Sequence, residues 1–202
     1  MDTVDKYLST ALSSVCGCEC LEMHPDLTCM TRKIQIKKKK SNVSVSCATW
    51  RPKHSVFFTL VKVKKGTLVY CHANCTTYYA SPQAQLAREC PDNTIFLAQW
   101  CMDHQNVPRL LIFDVLGPEP RVAVERGNLL RNMSHLFPQP LCVVQWVGEP
   151  EALEDDFTSQ LPHPVDYVFG LDDEPLVLHR ILKVKIPPNI PGGSKVDSFL
   201  LL

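Results

Sequence analysis

Two lysines near the end of the chain have a spacing suited to binding an anion. Lys183 and Lys185 alternate with apolar residues in the run from Ile181 to Lys185. Because side chains alternate between the two faces of a strand, both amines project from the same face. Neighbouring ammonium groups are costly in a protein core and well suited to a phosphate group. The pair therefore indicates a phosphate site, and the structural alternative is that these lysines protect a strand edge.

A second candidate is an acidic residue inside an otherwise apolar strand. The run from Leu110 to Leu116 is apolar except for Asp114, and Arg126 follows on the next predicted element. A carboxylate in such a strand either belongs to a polar site or satisfies a neighbouring backbone group or arginine. The sequence leaves both roles of Asp114 open.

The elements that must position these residues are short strands with few helices. The predicted helices are residues 2–15, 81–89 and 121–136, and the predicted strands are 33–36, 43–46, 55–63, 67–75, 94–103, 109–116, 141–148, 167–171 and 177–186. Lys64-Lys65-Gly66 joins two of these strands as a hairpin. Strands that pair with their neighbours in sequence indicate an α+β fold with antiparallel sheets. We expect residues 1–31 to form an N-terminal helix and a Cys-rich segment, and residues 32–202 to form a single domain.

Charge is balanced over the whole chain but divided along it. The 202 residues carry 21 basic and 21 acidic side chains. Residues 32–65 hold eleven Lys or Arg and no acid, whereas residues 149–174 hold nine acids and no Lys or Arg. Either the two segments neutralise each other or the protein presents a strongly positive face. The acidic segment 149–174 is also a candidate surface for a protein partner.

No run approaches the ~20 apolar residues of a membrane span, and the N-terminus lacks the pattern of a signal peptide. We therefore expect a cytoplasmic or nuclear protein whose ten cysteines are reduced. Cys16, Cys18 and Cys20 leave three interpretations open, namely a metal site, lipidation and inert thiols. The run Lys37–Lys40 is a nuclear import signal, a phosphate-binding loop or a solvated turn.

Several motifs in the second half of the chain occur in the same order as in a known protein family. They are Leu110–Leu116 with Arg126, Asp166-Tyr167-Val168-Phe169, Leu182-Lys183-Val184-Lys185 and Ser194-Lys195-Val196-Asp197-Ser198-Phe199. From Val56 to Phe199 the chain thereby resembles the nucleotidyltransferase domain of mRNA capping guanylyltransferases and polynucleotide ligases, and its cap-binding relative snurportin. The resemblance implies the same α+β fold without the OB domain that the enzymes append.

The departures from that family concern its catalytic residues. The nucleophilic lysine of the family's Lys-x-Asp-Gly turn is matched by Val63 in Val63-Lys64-Lys65-Gly66, and an alkyl chain cannot replace an amine nucleophile. The family's Asp-Gly-Glu strand is matched by Leu97-Ala98-Gln99, so both metal-binding carboxylates are missing. The resemblance therefore implies a protein that is not an enzyme and needs no cofactor.

The expected function is a catalytically inactive module that binds an RNA 5′ end, a nucleotide or another phosphate-bearing ligand. Snurportin shows the same losses and stacks a cap on a tryptophan, and Trp100 or Tyr167 is the candidate aromatic residue here. The expected ligand-binding residues are Lys64, Lys65, Trp100, Asp114, Arg126, Lys183 and Lys185. The alternative is a protein-interaction or scaffold module that keeps the fold and binds no nucleotide.

Overall fold

The computed structural model describes most of the segment from residue 55 to residue 144 and shorter parts on either side. The described residues are 3–17, 21–23, 35–38, 47–52, 55–64, 66–80, 86, 89–117, 119, 121–137, 141–144, 165–174 and 177–181. Lys65, Lys183 and Lys185 lie outside these ranges, as does most of the helix predicted for residues 81–89.

Two helices and eleven strands make up this described part. They are α1 (Thr3–Cys16), β1 (Leu21–Met23), β2 (Gln35–Lys38), β3 (Cys47–Pro52), β4 (Val56–Val63), β5 (Gly66–Cys71), β6 (Thr76–Ala80), β7 (Ile95–Met102), β8 (Pro108–Leu116), α2 (Ala123–Asn132), β9 (Cys142–Val144), β10 (Val165–Leu171) and β11 (Val177–Ile181). A short 3₁₀ turn, Ser134–Leu136, follows α2.

The larger sheet has seven strands in the order β1-β6-β5-β4-β7-β8-β9. Its neighbours are antiparallel except β8 and β9, which are parallel. The predicted β4–β5 hairpin is present, with Val63 opposite Gly66. The strand predicted for residues 67–75 is shorter, because the chain turns between His72 and Cys75 and returns as β6.

The smaller sheet has four strands in the order β2-β11-β10-β3. β10 is antiparallel to both β11 and β3, whereas β11 is parallel to β2. The two sheets and few helices confirm the α+β class. Antiparallel pairing predominates as predicted, and the parallel pairs occur at sheet edges.

The main hydrophobic core lies on one face of the seven-stranded sheet. α1 contributes Ala11, Val15 and Cys16, all fully buried, and α2 contributes Leu130. The N-terminal helix therefore shares its core with the sheet.

Candidate functional site

Asp114 and Arg126 form a buried ion pair between β8 and α2. Each side chain is about 2% exposed, and Arg126 Nε donates to Asp114 Oδ1 over 2.9 Å. The backbone N–H of Val115 donates to the same oxygen over 2.9 Å. Burial raises the pKa of the Asp114 carboxyl, while the Arg126 guanidinium opposes that effect. Of the two roles that the sequence left open for Asp114, the geometry supports the structural one.

The remaining donors of Arg126 bind the second oxygen of Asp114 and backbone carbonyl groups, and Nη2 lies 3.4 Å from Asp114 Oδ2. Nη1 donates to Arg121 O over 2.9 Å and to Asp173 O over 3.1 Å, and Nη2 donates to Asp172 O over 2.7 Å. Asp172 and Asp173 directly follow β10 of the smaller sheet. Arg126 therefore connects β8, α2 and the end of β10, and no donor is left for a ligand. The expectation that Asp114 and Arg126 bind a ligand is corrected accordingly.

Trp100 is a core residue. It has no exposed surface, and its ring meets the edge of Tyr7 with centroids 4.9 Å apart. Burial raises the pKa of Tyr7 to about 12, as expected for a phenol enclosed beside the sheet. Because no face of the Trp100 ring is open, the prediction that it stacks on a base is corrected.

The β4–β5 hairpin presents one described cation to solvent. Lys64 is exposed in the turn, whereas Val63, which the resemblance sets against a nucleophilic lysine, ends β4 half-buried. Lys62 is buried, and its Nζ donates to Val63 O and lies 3.4 Å from Asp92 Oδ1. Lys62 is therefore engaged inside the protein.

Apolar side chains occupy the sheet face next to this hairpin. Val61, Leu68 and Tyr70 form a second buried cluster, against which Val63 and Ile95 pack. The described residues of this cluster offer no positive charge to an anion.

Gly66 fits the hairpin only because it has no side chain. A Cβ at this position would lie 2.6 Å from the backbone oxygen of Ala80 and 2.8 Å from the Tyr79 hydroxyl. We expect Gly66→Ala to lower the free energy of unfolding by about 1–3 kcal/mol, because β6 must shift. Urea denaturation measures this loss.

Gly117 provides the matched control for that substitution. Nothing lies within 4 Å of a Cβ built there, so Gly117→Ala should change the stability by no more than about 0.5 kcal/mol. Equal effects of the two substitutions would contradict a steric role for Gly66.

The strand positions that the resemblance sets against metal-binding acids are buried. Leu97, Ala98 and Gln99 have no exposed surface. Gln99 Nε2 donates to Ser55 Oγ over 3.2 Å, while Gln99 Oε1 has no hydrogen-bond partner. Among the described residues no group of three or more His, Cys, Asp or Glu could hold a metal ion.

Thr59 and His72 form a polar contact that the sequence did not indicate. Thr59 Oγ1 lies 2.7 Å from His72 Nε2, joining β4 to the turn after β5. Burial lowers the pKa of His72 to about 4, so the imidazole is neutral at pH 7. Thirteen residues separate the two side chains, and only the strand pairing brings them together, so the sequence carried no signal for this contact.

The smaller sheet brings two basic segments side by side. In the β2–β11 pair, Lys37 stands opposite His179 and Lys38 stands opposite Arg180. The described strands end at Lys38 and Ile181, directly before Lys39-Lys40 and before Leu182-Lys183-Val184-Lys185. Because the strands are parallel, both carboxyl ends lie at the same end of the sheet. The lysine run and the paired lysines are thus attached to neighbouring strand ends.

No protein-family model matches this chain, and no curated protein matches it either.

The structure describes only parts of the acidic segment 149–174 and of the cysteine cluster. Of the acidic segment 149–174, Asp173 caps α2 through a 2.9 Å bond from the Ala123 backbone N–H, and residues 149–164 lie outside the described ranges. Cys16 is a core residue, whereas Cys18 and Cys20 also lie outside those ranges. Neither described helix is long and apolar enough to cross a membrane.

Proposed function

We propose that this protein is a non-catalytic module that binds a phosphate-bearing ligand, with an RNA 5′ end or a nucleotide as the leading class. The observation that carries the proposal is the parallel pairing of β2 with β11, which sets Lys37 and Lys38 beside His179 and Arg180. Phosphate oxygens accept charge-assisted hydrogen bonds from such side chains. A site at this end of the smaller sheet replaces the stacking site first expected at Trp100.

The reach of the chain supports the participation of the paired lysines. Lys183 and Lys185 follow the end of β11 by two and four residues. An extended chain advances at most ~3.6 Å per residue, so their Cα atoms lie within about 7 and 14 Å of Ile181. Lys38 and Arg180 stand opposite each other near the same strand ends, because neighbouring strands are only about 4.8 Å apart. Several cations are therefore available to one polyanionic ligand.

The residues at the family's catalytic positions support binding without chemistry. Val63 provides no nucleophile, and Lys62 is held by Val63 O and Asp92. Gln99 replaces a carboxylate that would hold a metal ion. The exposed Lys64, with Lys65 next to it in sequence, remains a candidate second contact from the hairpin.

Fluorescence anisotropy with labelled short RNA tests the proposal. We expect wild type to bind, and Lys183→Ala/Lys185→Ala to bind roughly a hundredfold more weakly, since each charged contact contributes about 1.5 kcal/mol or more. The slope of log K against log salt should fall by about 1.4, or roughly 0.7 for each phosphate that the variant no longer neutralises. Comparing triphosphate, capped and hydroxyl 5′ ends identifies the preferred end.

The matched control is Arg131→Ala, which removes an exposed charge from α2 and should leave binding unchanged. The proposal fails if GTP, cap analogue and capped RNA all fail to bind wild type, or if the lysine variant binds them equally well. A stable protein adduct after incubation with α-labelled GTP and Mg²⁺ would contradict the non-catalytic part.

A protein-interaction module is the second candidate. The observation that favours it is the apolar cluster beside the hairpin, where Val61, Leu68 and Ile95 offer no charge to a phosphate group. Such a module would use the acidic segment 149–174 or the Cys-rich N-terminus for its partner. Binding to an apolar partner should be nearly insensitive to salt, whereas phosphate binding should weaken steeply as salt rises.

A further inference from the structure

Aromatic and basic residues occupy neighbouring register positions in the four-stranded sheet. One row across the sheet runs Lys38, Arg180, Phe169 and Thr49. Tyr167, which lies two residues before Phe169 on β10, stands opposite Arg51 of β3. The two aromatic residues of β10 thus stand within two strand spacings of three basic residues, each of which belongs to a different strand.

The two aromatic residues of β10 lie on the same face of the sheet. Phe169 and Tyr167 are separated by one residue, about 6.8 Å along a strand, and residues at that spacing share a face of a sheet. The pairing of β10 with β3 shifts its register between Val165 and Tyr167, so one extra residue is accommodated there. Such irregularities bend a strand and are frequent next to binding sites.

We propose that the basic end of this sheet takes single-stranded nucleic acid, with bases stacked at Tyr167 and Phe169 and phosphates bound by Lys38, Arg51 and Arg180. The inference rests on the proposed function and narrows its ligand to a strand with unpaired bases. Sheets that bind single strands combine aromatic platforms for the bases with cations for the backbone. A phosphate group alone would need only the cations.

The aromatic positions should make the site prefer a single strand over duplex nucleic acid. In a duplex, every base is stacked inside the helix and none is free to stack on a protein side chain. A site made only of cations binds both forms through their phosphates. Preference for the single strand is therefore the signature of the aromatic contribution.

The test compares three probes on the full chain by anisotropy, or by competition where a probe is unlabelled. They are a twelve-nucleotide RNA strand, the same sequence as a duplex, and inorganic polyphosphate. We expect the single strand to bind about tenfold or more tightly than the duplex. Tyr167→Leu/Phe169→Leu should remove that preference and leave polyphosphate binding unchanged, whereas Lys38→Ala/Arg180→Ala should weaken all three probes.

The failure of this inference and the failure of the proposed function give different results. Equal binding of single strand and duplex, unaffected by the leucine substitutions, overturns the inference and leaves phosphate binding intact. No binding of any probe overturns both. If the leucine variant does not fold, crosslinking of wild type to RNA containing 4-thiouridine decides. Crosslinks within residues 165–171 support the inference, and crosslinks confined to other segments overturn it.

Discussion

Replacing Arg126 by leucine should lower the free energy of unfolding by about 3–5 kcal/mol, because the substitution leaves Asp114 buried without its counter-charge. The side chain also gives up hydrogen bonds to the carbonyl oxygens of Arg121, Asp172 and Asp173. Three elements are thereby no longer joined through one side chain. Urea denaturation monitored by circular dichroism measures the change.

A double-mutant cycle separates the ion pair from the carbonyl contacts. Asp114→Leu/Arg126→Leu should cost clearly less than the sum of the two single substitutions, since the double variant leaves no unpaired buried charge. Arg131→Leu on the same helix removes an exposed arginine and should change the stability by no more than about 0.5 kcal/mol. A loss below about 1 kcal/mol for Arg126→Leu would show that Arg126 is not the structural centre that its contacts indicate.

Trp100→Ala should also cost about 3–5 kcal/mol, because it leaves a large cavity in the main core. Trp100 lies under α1, where it contacts Tyr7, so the loss should also loosen the N-terminal helix. The Tyr7 environment, followed by near-ultraviolet circular dichroism, should change in the same variant. An exposed stacking residue would instead affect ligand binding while leaving stability almost unchanged.

Trp100→Phe is the conservative comparison for that prediction. It keeps an aromatic ring in the core and removes the indole N–H, which has no hydrogen-bond partner. We expect it to cost about 1–2 kcal/mol, since a smaller cavity is partly offset by the loss of an unsatisfied donor. RNA binding by the folded Trp100→Phe protein should equal that of wild type, and a selective loss of binding would return Trp100 to the ligand site.

The features that the sequence determined are those set by local contacts. Strand alternation with Gly66 predicted the β4–β5 hairpin, and the turn between β7 and β8 follows from Asp103. The Asp103 carboxylate accepts the backbone N–H groups of Gln105 and Val107, both over 2.8 Å. These partners are within four residues, so their positions are fixed by the chain nearby.

Only the tertiary structure decided which of the chemically suggestive residues are available to a ligand. Asp114 and Arg126 fit a binding motif in sequence, yet they are closed off because Asp172 and Asp173, which directly follow β10 and lie more than forty residues away in sequence, accept two hydrogen bonds from Arg126. Trp100 is enclosed by α1, and the basic segments meet because β2 pairs with β11 across the chain. Burial and pairing depend on which distant element covers a face, and a one-dimensional pattern does not specify that partner.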